Sequence, residues 1–266
     1  MSYSPSLLWK ISSQNLKDES YLFGSIHTND NRLEVLKNLL IPFIQSCSNC
    51  AVEVSIDEAM KADLSRYHLL LSEQHHSLFI NPAKWQKIDE NLFRDFGFEL
   101  KKHEHLKPLV ILNLIILQLF IGSDSQVLDE WIWEYGKSSF KNMYGLETVE
   151  DHYFTLNKIP LALQYKLFFK AVKDPLKMQR RFEHLFKKYF EQDIRFLYRD
   201  AKKSSSGARH LLLRDRNIKM AQVIEHCVVN GNTFAAVGAA HLYGQYGIIR
   251  LLQKKGLRLK PLLLNF

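Results

Sequence analysis

Cysteine is scarce, long apolar runs are absent and no export signature is present, and each shortage removes a class of protein. Cys47, Cys50 and Cys227 are an odd number and too few to staple 266 residues, so disulfides are not expected. Cys47 and Cys50 form a Cys-x-x-Cys in "SCSNC", a spacing that suits a redox pair or half of a zinc site. No second pair accompanies it, and reduced loop thiols are the expected reading. The longest apolar run, "PLVILNLIILQLFIG" from Pro108 to Gly122, contains Asn113 and Gln118 and falls short of the roughly 20 residues that span a membrane. A buried or substrate-facing helix is expected there instead. The start, "MSYSPSLLWKISS", has no basic region leading into an apolar core and no small-residue cleavage site, which predicts a cytoplasmic location. No linker rich in Pro, Gly or Ser divides the chain, so a single domain over residues 1–266 is expected.

What is present suits a globular fold: 46% of residues are hydrophobic, enough to fill a sizeable core. The formal charge is +8 with a pI near 9.2, concentrated between Lys166 and Lys219 in "KAVKDPLKMQRRFEHLFKKYF" and "RDAKKSSSGARHLLLRDRNIK". No nucleic-acid docking motif accompanies these residues, and they read as solvated faces of long helices.

Strand signals cluster at the two ends of the chain. "SLLWKISS" and "ESYLFGSIH", joined by polar "QNLKD", predict an antiparallel hairpin, and "NCAVEVSI" predicts a third strand. Residues 57–140 are mostly helical in pattern, with apolar positions at three- and four-residue spacing. "FKNMYGLE" is a weaker strand, and a second helical block covers about 149–229, broken near "SSSG" at Ser204 to Gly207. "NTFAAVGAAH" and "LRLKPLLL" close the chain as strands around a helix that stops at Gly256. The fold class predicted is α/β: a central mixed β-sheet with helices packed on it and a large helical insertion in mid-chain.

One pattern occurs twice. "YLFGSIHT" and "FAAVGAAHL" each run an apolar strand into Gly-x-x-His, at Gly24 with His27 and at Gly238 with His241. A glycine at a strand end allows close backbone approach, and the histidine then projects from the sheet edge, where α/β folds bind ligands. Two such histidines and a carboxylate from a third strand have the ligand set of a metallohydrolase. Glu53, flanked by apolar residues in "CAVEVSI", is that carboxylate, because a charge in a buried strand needs a partner or a metal. Glu147 in "YGLETVED" is a second. The His-x-His of His103 and His105 and the adjacent His75 and His76 sit in segments that look polar and exposed, and no site is expected at either. The "WIWEY" cluster, Trp131 to Tyr135, reads as core packing.

The chain resembles the TraB/GumN family, which is related to the Tiki proteases. The resemblance rests on "LLWKIS", "YLFGSIHT", "AVEVS", "YGLETVEDH", "RDRNIKMA" and "AAVGAAHLYGQYGIIRLLQKKGLRLKPL", in that order. It implies metal-dependent hydrolysis of a peptide or small-molecule substrate with Mn²⁺ or Co²⁺, and makes His27, Glu53 and His241 metal-ligand candidates. It also places the family's Arg-Asn pair on Arg216 and Asn217, and the mechanism expected of such a site gives each residue a role. Arg216 would stabilise an oxyanion and Asn217 would orient it, while Glu53 is a ligand or the general base and Glu147 takes the other role. Two alternatives stay open: a metal-independent hydrolase with His27 as base, and a non-catalytic binding or regulatory protein.

Overall fold

A computed structural model describes residues 5–266 except 15, 29, 72, 75, 120–125, 206, 207 and 209. Its centre is a six-stranded mixed sheet in the order β4-β3-β5-β2-β1-β6. The N-terminal hairpin forms as expected: β1 (Leu8–Ser12) pairs antiparallel with β2 (Ser20–Ser25), Leu8 facing Phe23. Next come α1 (Leu33–Gln45) and β3 (Asn49–Val54). The helical insertion follows, with α2 (Ile56–Lys61), α3 (Ser65–His68), α4 (Pro82–Phe96), α5 (Pro108–Leu119) and α6 (Leu128–Ser138). It returns to the sheet as β4 (Asn142–Glu147). A second helical stretch holds α7 (Val149–Asn157), α8 (Leu161–Val172), α9 (Pro175–Phe190), α10 (Ile194–Ser204) and α11 (Arg216–Asn230). The chain closes with β5 (Thr233–Gly238), α12 (Ile248–Lys254) and β6 (Arg258–Leu262).

Strand direction decides where chemistry can gather. β2, β5, β3 and β4 are mutually parallel, so Ser25, Gly238, Val54 and Glu147 all end at one edge of the sheet. Central β2 and β5 are buried along nearly their whole length, which explains their unbroken apolar sequences. Adjacent residues of β3 look to opposite sides. The Asn49 side-chain amide reaches Cys227 O in α11 at 3.5 Å, and Cys50 Sγ lies 4.0 Å from Ile132 O in α6. Helices α11 and α6 therefore cover opposite faces.

The helical stretches have a core of their own. Trp85 and Leu92 of α4, Ile111 and Ile115 of α5, and Tyr165 and Phe168 of α8 form a second buried cluster apart from the one on the sheet. This cluster corrects the expectation for His76, which is buried rather than exposed. Its ring stacks on Trp85 at 4.1 Å, its Nε2 donates to Glu104 O at 2.6 Å and its Nδ1 accepts from Tyr165 Oη at 2.5 Å. Both ring nitrogens are satisfied, so burial is tolerated. His75 lies outside the described residues; His105 is exposed, and His103 is half-buried against Phe98.

The cysteines need a similar adjustment. Cys50 belongs to β3 rather than to a loop, and burial pushes the Cys47 thiol up to about 11 and that of Cys50 to about 12, so neither forms a thiolate readily. In "WIWEY", Ile132 and Trp133 are buried in the sheet core, and Trp131 and Tyr135 stack beside it. Helix α10 stops at Ser204, next to the expected break, of which Ser206 and Gly207 lie outside the described residues. The long apolar run gives α5, its last part from Phe120 again outside them. No helix among the described residues is long and apolar enough to cross a membrane.

Candidate active site

The site grows from a gap in the sheet. The ladder between β3 and β5 ends at Ala51 and Ala235, and beyond it the Glu53 carboxylate enters the opening. Its Oε1 accepts the Gly238 N–H at 2.6 Å, taking the place of a ladder carbonyl. A Cβ on Gly238 would sit 3.2 Å from that oxygen, so glycine here makes room for the carboxylate. Gly24 has a different task. A Cβ there would lie 2.7 Å from Leu242 Cδ1 and 3.1 Å from Ala239 Cα, so the first Gly-x-x-His leaves space for the second to pack on it.

The two motifs are offset by one residue, because Ser25 rather than Gly24 is opposite Gly238. Side chains alternate along a strand, so this offset turns the two glycines to opposite faces. The histidines consequently end in different surroundings. His241, in a 3-10 turn after β5, is buried, whereas His27 is exposed at the rim.

Arg216 and Asn217 hold this edge together from the first turn of α11, immediately after a π-helical stretch from His210 to Asp215. Arg216 Nε donates to both Glu147 oxygens at 3.1 and 2.9 Å, and Nη2 donates to Glu53 Oε2 at 2.5 Å. Burial works against the Glu53 carboxylate, yet Arg216 and the Gly238 N–H hold its pKa well below the usual range. The segment "GLET" builds the other half. Gly145 lets β4 approach Ser55 N, Leu146 is in the core, Glu147 meets Arg216, and the Thr148 hydroxyl caps α7 by accepting from Asp151 N at 3.0 Å. One turn on, His152 Nδ1 lies 3.1 Å from Arg216 Nη2 and 3.3 Å from Glu147 Oε2.

Asn217 sets the state of His241. Its amide nitrogen donates to His241 O at 3.3 Å and Tyr246 O at 2.7 Å, so its oxygen must be the atom facing His241 Nδ1 at 2.5 Å. Nδ1 therefore carries the proton and Nε2 keeps its lone pair, 3.7 Å from Glu53 Oε1. Burial lowers the His241 pKa to about 4, so the ring is neutral near pH 7. His27 is tuned the other way. Its Nδ1 faces Asp129 Oδ2 at 3.4 Å, Asp129 Oδ1 accepts from Ser25 Oγ at 2.6 Å, and the contact with Asp129 raises the His27 pKa.

The sequence profile of the TraB/PrgY/gumN family matches residues 7–261. The chain belongs to the TraB/PrgY/gumN family. No curated protein and no solved structure matches it.

In this TraB/PrgY/gumN chain the six residues singled out from sequence fall at one edge of the sheet, but not as one set of metal ligands. Glu53, His241, Glu147, Arg216 and Asn217 form a connected network, while His27 turns to Asp129. Among the described residues no group of three His, Cys, Asp or Glu side chains converges to hold a metal ion. Glu53 and Glu147 already share the Arg216 cation, and the donors as arranged do not fit the Mn²⁺ or Co²⁺ centre that the resemblance implies. Sequence reasoning missed Asp129, Ser25 and His152. Asp129 sits in the first turn of α6 and reads from sequence as an ordinary helix-start acid. His152 was within reach, five residues after Glu147 in a segment already noted.

Proposed function

We propose that the protein is a hydrolase that adds water to an amide or ester carbonyl, with His27 as general base. The observation that supports this most is the pairing of His27 with Asp129: Nδ1 is engaged, Asp129 is itself fixed by Ser25, and Nε2, at an exposed rim, has no hydrogen-bond partner among the described residues. His27 takes a proton from water as the water oxygen bonds to the carbonyl carbon, and then gives that proton to the departing nitrogen or oxygen. Charge gathers meanwhile on the carbonyl oxygen. Arg216 uses Nε on Glu147 and Nη2 on Glu53, and Nη1, with no partner among the described residues, is the nitrogen to meet that oxygen. Glu53 and Glu147 act here as the groups that fix the guanidinium, and Asn217 as the group that fixes His241. Neutral His241 offers Nε2 as an acceptor to a substrate N–H or to water.

The resemblance to Tiki peptidases carries a second, metal-dependent reading, which requires Glu53 to leave Arg216 before it could join His241 on an ion. The test is hydrolysis of 4-nitrophenyl acetate and of a peptide library by chelator-treated protein, beside elemental analysis of the parent and its His27→Ala and His241→Ala variants. Metal-free activity lost in His27→Ala supports the base mechanism. Activity abolished by chelation and restored by Mn²⁺ or Co²⁺ replaces it with the metal-dependent one. A parent that hydrolyses neither substrate under any condition sinks both and leaves a binding or regulatory protein.

A further inference from the structure

We infer that the outward face of α9 and α10 is a docking surface for an anionic lipid bilayer, an interaction independent of the reaction proposed for the site. From Pro175 to Ser204 the chain holds nine Lys and Arg against four Asp and Glu, so +5 of its net +8 lies on these two helices and the turn between them. The helices pack antiparallel: Arg181 meets Asp200, and His184 meets Phe196 edge to face at 5.0 Å. Met178, Phe186 and Tyr189 of α9 and Ile194 and Leu197 of α10 are buried on the inner side. The cations take the opposite side at three- and four-residue spacing, with Lys177, Arg180 and Lys187 on α9 and Arg195, Arg199, Lys202 and Lys203 on α10.

The four acids leave these seven cations without counter-charge. Glu183 is engaged by Arg32, Glu191 by Lys188 and Asp200 by Arg181, and Asp193 caps α10 by accepting from Phe196 N at 2.9 Å. All seven side chains are exposed, and none makes a hydrogen bond or ion pair among the described residues. Arg195, Arg199 and Lys203 follow one another at four-residue intervals, where like charges repel and weaken a helix. The face therefore costs the fold stability by itself, and an opposing negative surface relieves it.

The shape of the face selects among anions. Binding of single-stranded nucleic acid uses exposed rings for stacking, and duplex reading uses an element that enters a groove. On α9 and α10 no aromatic ring is exposed; Leu176, 47% exposed at the corner of the face, is their one large apolar residue in solvent among the described residues. Two helices lying side by side present their flanks, and a bilayer needs only cations spread over such a surface, each worth about fivefold in binding near an anionic leaflet. Leu176 is placed to dip among the headgroups. The surface is also joined to the site, since Tyr189 Oη donates to Gly24 O at 2.8 Å and Arg32, five residues after His27, lies over Phe186 at 4.5 Å.

The test is sedimentation of the purified protein with phosphatidylcholine vesicles containing about 30% phosphatidylserine, beside vesicles of phosphatidylcholine alone, at about 0.1 M salt. Binding to the first and not the second is expected, with release at about 0.5 M salt. Combining Arg195→Gln, Arg199→Gln, Lys202→Gln and Lys203→Gln keeps helix-forming residues and should raise the lipid concentration for half-binding at least about tenfold. A charge-matched control changes four exposed cations elsewhere, Lys17, Lys61, Arg250 and Lys254, to Gln and should stay within about twofold of the parent. Circular-dichroism melts check that both variants are folded. An equal loss in the control overturns the inference, because net charge and not this face would then be responsible. A parent that ignores the phosphatidylserine vesicles overturns it too, as does tighter binding to a DNA duplex of about 20 base pairs, which would assign the face to nucleic acid.

Discussion

Replacing Arg216 with Met would test whether one guanidinium is the cation that makes two carboxylates, Glu147 buried and Glu53 half-buried, tolerable. Arg216 and Glu147 are 9% and 7% exposed, and three charge-assisted contacts join the arginine to Glu147 and Glu53. The net contribution of such a pair is small, because desolvation offsets attraction, but removing one partner leaves uncompensated charge and costs about 3–5 kcal/mol. That is a large part of the roughly 5–15 kcal/mol that stabilises an ordinary domain. The loss should also depend on pH. Without Arg216, burial drives the Glu53 pKa above its unfolded value, so the folded variant keeps a proton that the unfolded chain releases. Stability of the variant is then retained at low pH and falls as pH rises through the new folded value, by about 1.4 kcal/mol for each tenfold change in proton affinity. Urea unfolding at about pH 5 and about pH 7.5 should show the larger deficit at the higher pH, and adding Glu53→Gln or Glu147→Gln to the variant should recover part of it. A deficit below about 1 kcal/mol that is the same at both pH values, with no recovery in the double variants, would refute the network.

Asp129→Asn should lower kcat/KM for whichever substrate is turned over by at least about tenfold, since it removes the group that orients the base. It should also move the acid limb of the pH profile downward; an unmoved limb would detach Asp129 from His27. His241 is held neutral down to about pH 4 against an ordinary value of 6.5, so the unfolded chain binds its proton first. Stability from this group is complete above about pH 6.5 and declines by about 3 kcal/mol as pH falls to 4, a slope that His241→Gln should reduce in urea titrations. Gly24→Ala forces a Cβ against Ala239 and Leu242 and should cost about 1–3 kcal/mol of overpacking, read from the same unfolding curves. A neutral result there would mean that the two motifs pack more loosely than their spacing indicates.

Much of the fold was legible because its signals are local. β1, β2, β3 and β5 announced themselves by short runs rich in β-branched or aromatic residues, and Gly256, in the left-handed region at φ 86, closes the last helix as the pattern implied. The candidate residues at the strand ends were legible for the same reason, since Gly-x-x-His after an apolar run fixes where a histidine leaves the sheet. Their partners were not. Whether His27 meets Glu53 or Asp129 depends on a one-residue stagger between β2 and β5 and on where α6 begins, and neither is encoded near residue 27. His76 escaped for a related reason: its polar neighbours in sequence suggest solvent, while Trp85 and Tyr165, which enclose it, come from separate helices.

The adjoining pair Arg216 and Asn217 has a mechanical consequence. Successive residues of a helix point about 100° apart, and these two grip different parts of the sheet edge: one the carboxylates of β3 and β4, the other the turn after β5. A helix seated by one contact can still roll about its axis. Seated by two in different directions, α11 has a single angular setting, and the π-helical stretch ahead of it supplies the extra residue per turn by which that setting is reached. An insertion or deletion between His210 and Asp215 would thus release both grips at once, freeing the carboxylates and His241 together although it touches neither.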